Sequence, residues 1–178
     1  MKELQYIAAK IIGKLRRDKH KETVHRFFTK QGIKIGRGCN VCCNIVTPES
    51  QLILLGDKVT VAGDVEFVTH DNSISKVLTN TTDLFGKIVI GNNCFIGARS
   101  VILYGIELAD NIIVAAGSVV CNSFHEERII IGGNPARKIG TWDSFAAKSK
   151  DYAWNLDGTS LEEKNRMLGE GNKLIRRG

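Results

Sequence analysis

Large aliphatic residues recur at every sixth position between residues 90 and 125. These residues are Ile90, Ile96, Ile102, Leu108, Val114 and Val120. Four positions after most of them stands a small or aliphatic residue; this second set is Cys94, Ser100, Ile106, Ile112 and Ser118. A period of six matches neither an amphipathic helix nor an alternating strand. The pattern predicts a solenoid, whose units cannot bury their apolar face alone and therefore stack on one another.

The same repeat can be followed towards the N-terminus. The first hexad is predicted at residues 35–40, and the register breaks over residues 46–54, which contain Pro48. It resumes at Leu55 and continues to Asn72. Residues 72–87 then leave the repeat as a predicted polar loop, and an excursion of this length in a compact domain is usually functional. We therefore expect a solenoid domain over residues 31–140 that carries one long loop.

Helical segments are predicted on both sides of the solenoid. An apolar stripe indicates an amphipathic helix over residues 2–17, and a second helical piece is predicted at about 19–30. The first helix either covers an exposed surface of the solenoid or a neighbouring subunit, or lies on an anionic membrane. Residues 143–150 and 160–176 complete a C-terminal helical segment over 141–178, and the second of these helices begins at a Ser160-x-x-Glu163 capping box.

The charge and hydropathy of the chain limit its partners and location. A net charge of +6 favours anionic partners, or simply solubility. Nucleic acid is a poor fit, because the basic residues cluster at the two ends without interleaved aromatic residues. Apolar runs fall short of the ~20 residues that span a bilayer, and basic residues interrupt any signal-peptide core. We expect a cytoplasmic protein.

The cysteine pattern favours packing over metal binding. Five cysteines and a predicted cytosolic setting argue against a disulfide framework. Cys39-x-x-Cys42-Cys43 has the spacing of a zinc half-site, but no second ligand pair follows at a finger-like distance. In the six-residue register Cys39 and Cys94 take the small inward position. These two thiols are therefore predicted to be buried packing groups.

Several of these motifs together resemble hexapeptide-repeat acetyltransferases, most closely the sugar and capsular-polysaccharide O-acetyltransferases. They are the hexads, the Thr69-His70-Asp71 tripeptide with the loop after it, and the run Gly133-Asn134-Pro135-Ala136-Arg137. The resemblance covers about residues 33–140. It implies a mainly β fold, a left-handed parallel β-helix with three hexads per coil and short terminal helices. It also implies a homotrimer with acetyl-CoA in a cleft between neighbouring helices, and no metal.

His70 is the candidate catalytic base. Transfer of an acetyl group from a thioester to a hydroxyl needs a group that takes the hydroxyl proton, and imidazole, with an unperturbed pKa of ~6.5, is largely neutral at cell pH. The resemblance implies direct attack without an acyl-enzyme. Asp71 orients the ring, binds the sugar or caps a turn. His125 is predicted to lie in a solvated turn, and a carbonic-anhydrase-like zinc site would need three histidines.

The acetyl-CoA contacts that the resemblance implies fall on turns and edges of the solenoid. They are Ala98, Ala116, Cys121, Asn122, Arg137 and Lys138. Many relatives have a lysine where Asn122 stands, and Lys138 could replace the missing charge. Asn44 is the candidate contact for the acceptor sugar, and Trp142 is expected to anchor the C-terminal helix or to stack on adenine.

Three functions remain open from the sequence. The first is acetyl-CoA-dependent O-acetylation of a saccharide hydroxyl in surface-polysaccharide biosynthesis. The second is N-acetylation of an amino sugar or another small acceptor, because the same base and cleft serve an amine. The third is a trimeric scaffold without catalysis, against which the intact Thr69-His70-Asp71 tripeptide argues.

Overall fold

The computed structural model describes Leu4, Ile7, Ala8, residues 20–171 and residues 173–175. Most of the helix predicted over residues 2–17 lies outside this part of the chain. Helix α1 (His20–Lys30) confirms the second predicted helical piece. The chain divides into two compact units, Met1–Gly140 and Thr141–Gly178.

The first unit is built from very short strands. In chain order these are β1 (Lys34–Ile35), β2 (Asn40–Val41), β3 (Ile53–Leu55), β4 (Thr60–Val61), β5 (Glu66–Phe67), β6 (His70–Asp71), β7 (Leu84–Phe85), β8 (Ile88–Ile90), β9 (Phe95–Ile96), β10 (Val101–Ile102), β11 (Glu107–Leu108), β12 (Ile113–Val114), β13 (Val119–Val120), β14 (Ile129–Gly133) and β15 (Ala136–Thr141). They form three larger sheets, in the orders β1-β3-β8-β11, β13-β10-β5 and β15-β14-β12-β9-β4-β2. Successive strands along the chain therefore pass from one sheet to the next, as in a coil with three faces.

Strand pairing sets the length of one coil. Ile90 pairs in parallel with Leu108, and Ile102 with Val120, so each partner lies three hexads further along the chain. This spacing confirms the predicted repeat. The inward aliphatic residues of these hexads are almost fully buried, with Ile96, Ile102 and Val120 at 0% exposure.

Two insertions interrupt this regular coil, and both lie where the register was predicted to break. Val41 pairs with Val61, so two extra residues precede β4 in this coil. Phe67 pairs with Ile102, so the coil that carries His70 is almost twice as long as a regular one. The first insertion includes a 3-10 turn over Ser50–Leu52, and the second is the loop over residues 72–87.

The buried thiols pack as predicted. Cys39 and Cys94 are 7% and 2% exposed. The Cys94 thiol donates a hydrogen bond to the Ala109 carbonyl at 3.2 Å. Burial raises the pKa of the Cys94 thiol to about 11, which keeps it protonated at neutral pH.

Polar side chains link successive coils along one edge of the solenoid. Asp57 Oδ1 accepts a hydrogen bond from the Arg37 backbone N–H at 2.8 Å, and the Asp57 backbone N–H donates to Asn92 Oδ1 at 2.8 Å. The Asn92 backbone N–H and side-chain amide in turn donate to the two oxygens of Asp110, at 2.7 and 2.9 Å. We call Asp57, Asn92 and Asp110 the edge ladder. It satisfies backbone N–H groups that the turns leave without strand partners.

The second unit contains α2 (Trp142–Ser149) and α3 (Leu161–Glu170). The Ser160 hydroxyl accepts a hydrogen bond from the Glu163 N–H at 3.1 Å, which confirms Ser160 as the N-cap and supplies one of the two bonds of the predicted capping box. Helix α3 is shorter than the predicted 160–176, because Gly171 takes an extended conformation (φ −83°, ψ 133°) that ends the helix. Within the described residues, none of the helices has both the length and the apolar character to cross a bilayer.

Candidate active site

His70 lies where the chain leaves the regular coil. Strand β6 pairs antiparallel with β7, so His70 lies opposite Phe85 at the far end of the loop. The two rings are 6.0 Å apart between centroids, and 40% of the His70 side chain is exposed. The loop is less polar than predicted, because it exposes four apolar side chains. These are Val77, Leu78, Leu84 and Phe85.

Glu49, on the coil preceding that of His70, contacts the imidazole ring. His70 Nδ1 lies 3.0 Å from Glu49 Oε2. The same oxygen accepts a hydrogen bond from the Thr69 hydroxyl at 2.8 Å, and the Thr47 hydroxyl oxygen lies 3.3 Å from it. The Thr69 hydroxyl bond, followed by the bond and charge of His70, holds the pKa of the Glu49 carboxyl below its usual value. Glu49 is therefore a carboxylate over the neutral pH range.

This contact determines which nitrogen of a neutral His70 ring carries the hydrogen. A carboxylate can only accept hydrogen bonds, so Nδ1 is the donor and holds the proton. The neutral ring then presents Nε2 as its unprotonated nitrogen. A half-exposed imidazole in this state can take a proton from a bound hydroxyl or amine.

Asp71 makes different contacts from those of Glu49. Its Oδ1 accepts from the Ser73 backbone N–H at 2.8 Å, and its Oδ2 accepts from the Tyr104 hydroxyl at 3.3 Å. The Ser73 bond holds the pKa of the Asp71 carboxyl below its usual value. These contacts fit the turn-capping alternative, and they tie the start of the loop to Tyr104 on the next coil. A role for Asp71 in catalysis stays a prediction.

The cofactor-binding residues suggested by sequence lie along the sheet β13-β10-β5 and beyond it. Ala98 and Ala116 stack one coil apart, with the Gly117 N–H donating to the Ala98 carbonyl at 2.8 Å. Ala98 is half-buried and Ala116 is exposed. Cys121 and Asn122 follow β13, at the opposite edge of this sheet, and are exposed. These four predicted contacts therefore form two groups, one before and one after the strands of this sheet.

Arg137 and Lys138 lie on β15, and both are exposed. Arg137 Nη1 donates to the Ala136 carbonyl at 2.9 Å. Lys138 forms an ion pair with Glu126, which partly offsets its charge. Asn44, the candidate acceptor contact, is half-buried, and its Nδ2 is buried without a hydrogen-bond partner among the described residues. Arg137 is thus the better suited of the two basic residues to contact a phosphate.

Sequence reasoning missed Glu49, Thr47 and Tyr104. Glu49 lies in the segment 46–54, which was predicted only as a break in the register. One signal was available: Glu49 is the only acidic residue between positions 31 and 56. Thr47 and Tyr104 carried no comparable signal, since threonine and tyrosine are common on strands and turns.

Comparison with known proteins identifies the family. A family model described as the hexapeptide repeat of succinyl-transferase matches residues 87–121. Protein CapG of Staphylococcus aureus is 38% identical over 136 residues, which cover 72% of this chain and 78% of that protein. The chain is a hexapeptide-repeat acetyltransferase. The galactoside O-acetyltransferase of Escherichia coli (strain K12) is 29% identical over 114 residues, or 64% of this acetyltransferase and 56% of its relative.

A solved structure shows the same fold. A hexapeptide-repeat-containing acetyltransferase from Vibrio cholerae O1 biovar eltor, complexed with acetyl-CoA, superimposes with a TM-score of 0.51 at 26% identity. The match covers 62% of this acetyltransferase and 61% of that chain. The predicted fold, a mainly β left-handed parallel β-helix with short terminal helices, is thereby confirmed.

Proposed function

We propose that this acyltransferase moves an acetyl group from acetyl-CoA to a hydroxyl of a saccharide, with His70 as the general base. The observation that carries this proposal is the 3.0 Å contact between His70 Nδ1 and Glu49 Oε2. It leaves Nε2 of the half-exposed ring as the basic nitrogen. The family assignment independently supports acetyl transfer.

The reaction needs only one protein base. His70 Nε2 accepts the proton of the acceptor hydroxyl while the hydroxyl oxygen forms a bond to the acetyl carbonyl carbon. The carbon–sulfur bond then breaks, and the proton passes to the departing thiolate of CoA. Glu49 stabilises the positive charge that develops on the ring, because its carboxylate contacts the opposite nitrogen. No acyl-enzyme forms.

The residues proposed to hold acetyl-CoA fit such a ligand. Ala98 and Ala116 stand on turns where small side chains permit close approach of an extended chain. Cys121 and Asn122 are exposed at the other edge of the same face. The exposed Arg137 offers a cation for a phosphate, with Lys138 close by in sequence. No metal is needed for this chemistry.

The acceptor is proposed to be a sugar hydroxyl in the assembly of a surface polysaccharide. The galactoside O-acetyltransferase among the relatives supports a saccharide acceptor. We keep Asn44 as the proposed acceptor contact; its amide nitrogen is buried without a hydrogen-bond partner among the described residues. We further propose a cytoplasmic homotrimer in which clefts between neighbouring copies receive the acyl donor.

The test is acceptor-dependent release of the CoA thiol, measured with a panel of sugars, sugar nucleotides and amino sugars. We expect His70→Ala to lower kcat by at least about 100-fold, since general-base catalysis typically contributes 10²–10⁴-fold. His125→Ala is the matched control, because His125 is the other histidine of the repeats and is exposed. Its turnover should equal that of the wild type.

The panel also separates the alternative functions. Faster release with amino sugars than with their hydroxyl counterparts would replace O-acetylation by N-acetylation. No release with any acceptor, together with no binding of CoA, would leave a scaffold without catalysis. Full turnover in His70→Ala would show that another group takes the proton.

A further inference from the structure

We propose that Thr69 and Thr47 are positioning residues of this acetyltransferase. Their hydroxyls form a donor chain, from Thr47 to Thr69 to Glu49, that holds Oε2 of Glu49 against Nδ1 of His70. This inference rests on the proposed function, and it extends the active site to two hydroxyls that touch no reacting atom.

The geometry fixes the direction of this chain. The two hydroxyl oxygens are 2.5 Å apart, and both lie within hydrogen-bonding distance of Glu49 Oε2. Each hydroxyl has a single hydrogen, whereas the carboxylate has none to give. Thr69 makes the shorter bond to Glu49, at 2.8 Å against 3.3 Å for Thr47. Thr69 therefore donates to Glu49, and Thr47 donates to Thr69.

Burial makes the chain strong and well defined. Thr47 and Thr69 are 4% and 1% exposed, although both are polar. A buried hydroxyl without a partner is costly, so each of these side chains is held by the bonds that it makes. Donors linked in series polarise one another, which strengthens the final bond to the carboxylate.

The position of the two threonines in the chain also supports a positioning role. Thr69 immediately precedes His70, and Thr47 lies two residues before Glu49. The hydroxyl–hydroxyl contact therefore joins the backbone of the coil that carries the base to the coil that carries the carboxylate. Ser50 reinforces the coil that carries Glu49, because its hydroxyl donates a hydrogen bond to the Thr47 carbonyl at 2.9 Å.

The experiment combines kinetics with the tautomer of His70 in the full-length protein. Thr69→Val replaces the hydroxyl by a methyl group of similar size. We expect kcat to fall about 10-fold, as for loss of a hydrogen bond to a charged group, with KM for acetyl-CoA unchanged. Thr69→Ser restores the hydroxyl and should restore kcat. Thr47→Val, one step further from Glu49, should lower kcat less.

The tautomer is measured by ¹⁵N NMR of labelled imidazoles, at a pH where the His70 signals are those of the neutral ring. The chain has four histidines, and the His70 signals are those that disappear in His70→Ala. Wild type should carry its hydrogen on Nδ1, whereas Thr69→Val should show a mixture of both tautomers. Ser100→Ala is the control, because Ser100 is a fully buried hydroxyl that donates to the Ala115 carbonyl elsewhere in the solenoid. It should alter thermal stability without altering kcat or the His70 tautomer.

Two results would overturn the inference. One is an unchanged tautomer and an unchanged kcat in both valine variants while the proteins remain folded. The other is a Thr69→Ser variant as impaired as Thr69→Val, which would make the effect one of packing. Turnover that survives in His70→Ala would contradict the proposed function alone, because the tautomer shift does not depend on activity.

Discussion

At the scale of single residues, backbone conformation matters as much as side-chain contacts. Turns of the solenoid place several residues in the left-handed region of φ, among them Lys58 at 57° and Arg99 at 59°. An ordinary L-residue costs roughly 1–2 kcal/mol there. Glycine avoids this cost, and Gly105, at a φ of 76°, is such a position on the coil that follows His70.

Comparing alanine substitutions at Gly105 and Gly63 isolates the energetic cost of a left-handed φ. A Cβ at either position would meet nothing within 4 Å, but only Gly105 has a left-handed φ. We expect Gly105→Ala to lower the free energy of unfolding by about 1 kcal/mol. Gly63→Ala should leave it unchanged or raise it by about 0.4–1 kcal/mol, because alanine restricts the unfolded chain. Urea unfolding of both variants measures this; equal effects would mean that space, and not φ, governs these turns.

At the scale of elements, the loop over residues 72–87 is an addition to a regular coil. Ile88 occupies the register of Ile106 in the next coil, since Ile90 pairs with Leu108. Asp71 also matches Ile106, since Phe67 pairs with Ile102. Joining His70 directly to Ile88 would thus give a coil of three hexads, the regular length.

Deletion of residues 71–87 tests whether the loop is needed for the candidate active site but not for the fold. We expect the shortened chain to fold as a β-helix, because the strand register and the buried aliphatic rows are retained. Acetyl transfer should be lost, because β7 no longer pairs beside His70 and Asp71 is absent. Circular dichroism, thermal unfolding and thiol release are the measurements. An unfolded product would show that the loop is needed for coil stacking, and retained turnover would exclude a role for the loop in catalysis.

At the scale of the whole molecule, carboxylates stabilise turns from one coil to the next. Backbone N–H donation from Arg37 to Asp57, and side-chain donation from Asn92 to Asp110, lower the pKa of both carboxyls. A group with a lowered pKa in the folded state adds stability above its unfolded pKa, about 3.9 for Asp. That stability is lost as the pH falls through the folded pKa.

We therefore expect the thermal midpoint to fall steeply below about pH 4, as Asp57, Asp110 and Glu49 become protonated. Asp110→Asn should lower the midpoint at pH 7 by about 2–4 °C and make it less sensitive to acid. Asp64→Asn removes the same charge from an exposed residue that pairs with Arg99 at 3.9 Å, and it controls for net charge. Scanning calorimetry between pH 2.5 and pH 8 measures the thermal midpoint of both variants. Identical dependence of the midpoint on pH in the two variants would contradict this role of the edge ladder.

The sequence by itself determined the stacked repeat and singled out His70 as the candidate base. A six-residue period can bury its aliphatic rows only by stacking, so the buried positions of Cys94 and Ile102 followed from it, whereas the coil of three hexads was implied by the family resemblance. His70 was identified by its place at the end of this pattern. The ends of the helices were less certain, as α3 illustrates, because capping and packing compete within the last turns.

Only the tertiary structure decided what surrounds His70. Glu49 lies on the preceding coil and contacts the histidine because one coil stacks on the next. The coil of Glu49 also contains two residues more than a regular coil, so this segment leaves the regular register. No periodicity describes such a break, so the direction of the Glu49 side chain could not be predicted from it. The contacts of Thr47, Thr69 and Tyr104 depend on the same stacking: a repeat fixes which coils are neighbours, while irregular turns fix which side chains meet.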